Sequence, residues 1–190
     1  MEPTKKNIKT KRIHSIEDLD GKDLSFHYWG TMKYFIGLIK SSELKAGLIL
    51  SFYGIIFNFV YQNIDNAKGS FTSFGFAHIL AVLWLVSTLI SMYYSVRSFI
   101  PRIEKNYEKN VFFFGDIISK FGDIKEFSQA FMDVNIDKEK LYDQLGQQIY
   151  INAKITAAKF KNVNKSLRYL AISLAILLIL IIKYIFYVIF

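Results

Sequence analysis

Residues 169–190 read YLAISLAILLILIIKYIFYVIF, with Lys183 the one charge among them. About 20 helical residues cross the ~30 Å hydrocarbon layer of a bilayer, and soluble-core helices rarely run so long without charge. Two stretches upstream share this character, because Gly69 to Val96 and Ala46 to Ile64 contain no charged residue. The earlier of them is the weakest, since it carries Asn58, Gln62 and Asn63. As a buried hairpin helix it would nevertheless leave a very large apolar patch uncovered on so small a protein. With 52% hydrophobic and 17% aromatic residues among 190, the chain exceeds an ordinary soluble domain, and a bilayer accounts for the excess. Few β-branched alternations occur, so no sheet is expected. The sequence therefore predicts an all-α membrane protein with three transmembrane helices and a helical cytoplasmic domain between the second and third spans.

Basic residues set the orientation. Of the 24 Lys and Arg, 22 fall in 1–45 and 97–168, and only Lys68 and Lys183 lie elsewhere. Basic residues flanking spans stay on the cytoplasmic side, which places both segments inside and the loop around Asp65 to Ser73 outside. Met1 to Ser25 is polar and charged, so no cleaved signal peptide is expected at this start. In order, the chain divides into a mobile cytoplasmic arm (1–25), an amphipathic interfacial helix (26–45), a transmembrane helix (46–64), an external loop (65–75), a transmembrane helix (76–100), a cytoplasmic helical sensor domain (101–167) and a transmembrane helix (168–190). Trp29, Met32, Phe35, Ile36 and Ile39 recur at helical spacing in the interfacial helix. Trp29, Glu43, Lys45 and Arg97 are the expected residues at the membrane interface, the charged ones by snorkelling. The net charge of +8 does not point to nucleic acid. Thirteen bases and nine acids are interleaved in 97–168, a mixture that suits a solvated surface near anionic lipid headgroups.

The central segment has its own punctuation. Pro101 breaks the helix of the second span. Asn110 can cap a helix over Val111 to Phe121, Gly122 can end it, and Asp123 with Glu126 has capping-box spacing for the next. Asp137 precedes Leu141, Leu145, Ile149, Asn152 and Thr156 at heptad-like steps. No proline follows residue 138, so one helix of about 80 Å can run to the end. Two helices hinged near Asn162 and Asn164 are the alternative.

Catalytic constellations are not evident. There is no cysteine, no glycine-rich phosphate loop, no paired-histidine spacing and no Ser/His/Asp arrangement, so no enzyme and no metal site is expected. His78 suits an interfacial or helix-contact role better than a proton relay. Phe112, Phe113 and Phe114 can stack a base or, more commonly for such a run, pack a core. Arg102, Lys154, Lys159 and Lys161 can each pair with a phosphate or simply face solvent. Ser51, Asn58, Gln62, Ser87, Thr88 and Ser91 offer polar contacts between helices, across copies or within one protomer.

Several segments in this order resemble the membrane-spanning effectors of Pycsar, the bacterial anti-phage defence in which a cyclase makes cyclic pyrimidine nucleotides. The likeness covers roughly residues 33–185. It rests on Tyr34-Phe35-Ile36 followed by Glu43-Leu44-Lys45-Ala46, where the family has Asp in place of Glu43. It continues with Pro101-Arg102 after the second span, Phe113-Phe114-Gly115-Asp116-Ile117, and Ile155 to Phe160 with Lys159 before the last span. The resemblance implies a protein of the bacterial inner membrane. A homo-oligomer is expected because a pore from so few spans needs several copies and polar residues within the spans can join them. The spans make the chain multi-pass, and the basic residues give it a cytoplasmic N-terminus. The resemblance also implies activation by a cyclic pyrimidine nucleotide, cCMP or cUMP, and impairment of membrane integrity that ends in abortive infection. Lys45, Arg102, Phe113, Phe114, Lys154 and Lys159 are then the candidate nucleotide contacts. The competing reading is a constitutive membrane anchor whose cytoplasmic helices bind a protein partner.

The charge asymmetry makes topology testable with single cysteines in a chain that has none. In intact cells a membrane-impermeant maleimide is expected to label Ser70→Cys and to leave Ser128→Cys untouched. Labelling at position 128 would invert the topology.

Overall fold

The computed structural model describes residues 21–67, 75–100 and 108–189. Residues 1–20, which hold most of the expected arm, lie outside the described residues, as do 68–74 of the external loop and the Pro101-Arg102 step. Every regular element among the described residues is a helix: α1 (Gly21–Ala67), α2 (Phe76–Phe99), α3 (Phe114–Ser119), α4 (Ile124–Ile136) and α5 (Lys138–Ile189). Three of them, α1, α2 and α5, are long and apolar enough to cross a membrane. The backbone divides into two compact units, residues 1–37 with 103–153 and residues 38–102 with 154–190.

Helix α1 starts at Gly21, inside the stretch expected to be an arm, and continues without interruption through the residues expected to form the interfacial helix and the first span. Its 47 residues rise about 70 Å, more than twice the hydrocarbon thickness. Helix α5 is continuous over 52 residues, which settles the choice between one helix and two hinged ones. Helix α2 ends where the chain approaches Pro101. Ile100 is extended, at φ −63° and ψ 122°, the conformation to which the proline ring restricts its predecessor.

The unit built from residues 38–102 and 154–190 has an apolar core of Ile49, Tyr53, Ile56 and Trp84, against which Phe57, Met92, Leu170, Leu174 and Leu177 pack. Alongside it runs a serine seam between α2 and α5. The Ser91 hydroxyl donates to the Ser166 carbonyl at 2.8 Å, and the Ser166 hydroxyl donates to the Ser91 carbonyl at 2.9 Å. Ser166 Oγ then accepts from Ser95 Oγ at 2.6 Å, the one assignment that uses a single proton per hydroxyl. Tyr53 Oη meets Ser173 Oγ at 3.1 Å. Small side chains let two backbones come close enough for these bonds, and in lipid no water competes for them. Ser87, Thr88 and Ser91 are thus buried within one chain, whereas Ser51, Asn58 and Gln62 are exposed.

The other unit gathers Val111, Phe121 and Val134, with Phe112, Phe127, Ala130 and Leu141 packed against them. A run of aromatic contacts surrounds this cluster. Trp29 lies edge-on to Phe112 with centroids 6.3 Å apart, Phe112 meets Phe131 at 5.9 Å, and Phe127 meets Phe121 at 5.2 Å. Trp29, expected at a membrane interface, therefore has a protein partner. Asn110 does not cap a helix over Val111 to Phe121. Its Oδ1 accepts from the Phe112 N–H at 2.8 Å, closing a tight turn, and the helix runs only from Phe114 to Ser119 with Phe113 at its N-cap. Asp123 does cap α4, accepting from the Glu126 N–H at 2.7 Å. The Glu126 carboxylate turns back one residue further than a capping box requires and accepts from the Gly122 N–H at 2.8 Å. Asp137, extended between α4 and α5, accepts from the N–H groups of Glu139 and Lys140.

Hydrogen bonding from Lys109, then from the Gly122 N–H, holds the Glu126 carboxyl below the usual glutamate range. A depressed carboxyl contributes stability that is fully present above its unfolded value of about 4.3 and lost as pH falls through the lower folded value. The acid limb of a thermal-stability profile is therefore expected to be shallower for Glu126→Gln than for the unmutated chain. Identical limbs would mean that Glu126 has no stabilising partner in the folded protein.

Candidate functional site

The last turn of a helix leaves its final carbonyls without partners and carries a partial negative charge. At the end of α2 these carbonyls are met by α5. Lys159 Nζ donates to the Ser98 carbonyl at 2.5 Å and to Glu43 Oε1 at 2.8 Å. One helical turn further along α5, Asn162 Nδ2 donates to the Arg97 carbonyl at 3.4 Å. Lys159 is 5% exposed, and a cation so buried persists only where anions and dipoles replace water. Asn162, one of the two residues at which a hinge was conceivable, is instead part of this cap, which explains why α5 runs straight through it.

Two sequence signatures thereby meet. Glu43-Leu44-Lys45-Ala46 on α1 contributes the carboxylate to Lys159 and places Lys45 over the Phe160 ring, 5.8 Å from its centroid. Ala46, completely buried, presents almost no side chain there. Nearby on α2 and α5, Arg97 donates to the Tyr93 hydroxyl at 3.2 Å and lies over its ring, while Lys165 lies 4.9 Å from the Tyr94 centroid and Tyr94 stacks on Tyr169. Aromatic rings interleaved with cations are the composition expected where a span leaves the hydrocarbon.

The Phe113 to Ile117 signature belongs to the other unit. Phe113 is 8% exposed, so its ring is packed away. A Cβ on residue 115 would stand 2.8 Å from that ring, which makes Gly115 a packing requirement. Asp116 is also buried; its Oδ2 accepts from the Asn110 N–H at 3.0 Å and its Oδ1 pairs with Lys120 at 3.1 Å. Gln144 on α5 completes the support. Its side chain accepts from the Val111 N–H at 2.9 Å and donates to the Lys109 carbonyl, while its own carbonyl accepts from Asn110 Nδ2 at 2.8 Å. Phe114, at 78% exposure, is the one ring of the signature with an open face.

Of the expected nucleotide contacts, then, Lys45 and Lys159 lie in one cluster with Glu43, Ser98 and Phe160. Phe113 and Phe114 belong to the other unit, Lys154 is exposed on α5, and Arg102 lies outside the described residues. Sequence patterns did not reveal Ser98 or Gln144. A backbone carbonyl has no sequence signal, and Gln144 sits in a helix where its residue type is unremarkable.

Three membrane-length helices, a seam of hydroxyls between two of them and a separate aromatic-rich helical unit define a polytopic membrane protein with a substantial part outside the spans. A family model of the Pycsar effector protein domain matches residues 27–186, and the chain belongs to that family, the membrane effectors of an anti-phage defence, which are not known as enzymes. It is 25% identical to the Pycsar effector protein PtPycTM of Propioniciclava tarda over 144 residues, 73% of this chain and 69% of the relative. No solved structure matches the chain.

Removing one partner of a buried pair strands the other, at a cost of about 3–5 kcal/mol when both are buried. Because Lys159 is buried and Glu43 partly exposed, Glu43→Gln, which strands the buried ammonium, is expected to cost about 3 kcal/mol, and Lys159→Met, whose stranded carboxylate reaches solvent, about 1 kcal/mol. The double variant should lose less than both singles together in thermal unfolding of detergent-purified protein. Strict additivity would show that the two side chains do not pair.

Proposed function

We propose that this protein is a ligand-gated membrane effector: a cyclic pyrimidine nucleotide, cCMP or cUMP, binds on the cytoplasmic side and causes the chain to impair inner-membrane integrity, leading to abortive infection. The observation that carries this reading is membership of the Pycsar effector family across residues 27–186. Two features of the chain support it. The 22-to-2 distribution of basic residues favours a cytoplasmic N-terminus and a cytoplasmic central segment, where a nucleotide made inside the cell is accessible. Phe114 offers an open aromatic face outside the spans, and any base can stack on such a ring at about 1–3 kcal/mol.

Lys159 is the least suited of the proposed contacts in the state described, because its ammonium is already held by Glu43 and the Ser98 carbonyl. Lys45 and Lys154, both exposed, are better placed to meet a phosphate. Self-association belongs to the same reading, since a lumen needs more helices around it than three spans supply.

Exposed apolar residues on α4, including Ile124 and Ile136, keep a second reading open, in which that helix binds a soluble protein partner and the chain is a scaffold.

Thermal melts of the purified protein with cCMP, cUMP and a panel of other cyclic mono- and oligonucleotides test the proposal. A ligand at a hundred times its dissociation constant adds about 2.7 kcal/mol to a two-state protein. One cyclic pyrimidine nucleotide is expected to raise the melt and to trigger dye leakage from liposomes, and Phe114→Ala is expected to reduce both. No shift and no leakage with any nucleotide would leave the scaffold.

A further inference from the structure

The membrane-embedded part of α1 has three distinct sides. Ile49, Tyr53 and Ile56 are buried against Trp84 and α5. Leu48, Phe52, Ile55 and Phe59 are exposed and apolar, which suits hydrocarbon. Opposite the buried side, and flanked by the apolar one, lies a third line, Ser51, Gly54, Asn58 and Gln62, following at steps of three and four and exposed throughout.

That line is anomalous for a surface facing lipid. Asn63, on the same helix, turns its amide back to the Phe59 carbonyl at 2.9 Å, the usual way a polar side chain in a span satisfies itself. Asn58 and Gln62 do not. Gln62 Nε2 donates to Asn58 Oδ1 at 3.2 Å, and among the described residues no other bond involves either amide. Each carboxamide has two donors and two acceptor lone pairs, so Asn58 Nδ2 and Gln62 Oε1 are unsatisfied. Asn58 lies about 10 Å along the helix from Asp65 at 1.5 Å per residue, too deep for headgroup water, and acyl chains offer no hydrogen bond.

The chemistry of the missing partner follows. It must donate and accept at the depth of Asn58, and a carboxamide does both. Copies inserted with one topology present the same residue at the same depth, so a second copy of this chain brings a matching Asn58 and Gln62 to that level. Gly54 gives it room to approach, since a Cβ built there would meet nothing within 4 Å.

We propose that Ser51, Gly54, Asn58 and Gln62 form the face through which copies of this chain associate side by side in the bilayer, the Asn58 and Gln62 amides bonding from one copy to the next. The proposal rests on the reading of the chain as a self-associating effector and names the surface that does it. Small residues flanking an interhelical amide are the combination that joins helices in lipid, where burial of apolar surface supplies no driving force.

Single cysteines in the full-length chain, reconstituted in vesicles with and without the cyclic pyrimidine nucleotides, test it. Under copper–phenanthroline oxidation Ser51→Cys is expected to form disulfide-linked dimers, and Phe52→Cys, on the lipid side, is not. Adding Asn58→Leu to Ser51→Cys is expected to weaken association about three- to twenty-fold per lost contact, while Asn58→Gln, which keeps an amide, retains the cross-link. Asn58 is exposed, so leucine there should leave the melting temperature of the protomer unchanged. Photobleaching of the labelled, otherwise unmutated chain counts copies independently. Several bleaching steps with cross-linking at Phe52 but not at Ser51, or equally at both, would overturn the proposed face while leaving self-association intact. Single-step bleaching in every condition would overturn self-association itself.

Discussion

Helix α2 ends with carbonyl oxygens that its own backbone cannot satisfy, at a point where the sequence turns toward a proline. Lys159 and Asn162 of α5 supply the donors, and Glu43 of α1 balances the lysine. Three helices remote in sequence are tied at one level by this arrangement. A buried ammonium in contact with a helix C-terminus and a carboxylate tolerates little displacement, because any movement that separates them leaves a charge without water or partner. The register of α5 against α2 follows from it, and the serine seam further along the same two helices can form only in that register.

The seam and the cap work by the same constraint. In hydrocarbon there is no aqueous competitor, so a hydroxyl or amide that finds a protein partner holds two helices together, and one that does not is a liability. Ser91, Ser95 and Ser166 lie on the satisfied side of that rule. Asn58 and Gln62 do not, which is why their side of α1 is chemically unlike the apolar side of Leu48, Phe52, Ile55 and Phe59 next to it.

Outside the spans, order comes from a different source. The turn from Lys109 to Phe113 contains no regular structure, and its backbone groups are taken up by Asn110, Asp116 and Gln144. Buried polar groups paired in this way specify one conformation, since each alternative leaves several of them unpaired. The Phe113 ring over Gly115 then closes the turn against α3. Phe114, directed outward by the same turn, is left as the exposed member of an otherwise packed aromatic run.

Long charge-free stretches and the proline at 101 were enough to read three apolar helices and the break after the second, because hydrophobic length and proline sterics act locally. Asp123 was legible as a cap for the same reason, its partner being three residues away. Asn110 was misread as a cap because its side chain answers to Gln144, thirty-four positions distant, as well as to its own turn. Likewise, Glu43 and Lys159 each look like an ordinary interfacial charge in sequence. Their pairing, the capping of α2 and the continuity of α5 through Asn162 are properties of helices already packed together, and only the tertiary structure decides them, since burial is what turns a solvated lysine into one that must have a partner.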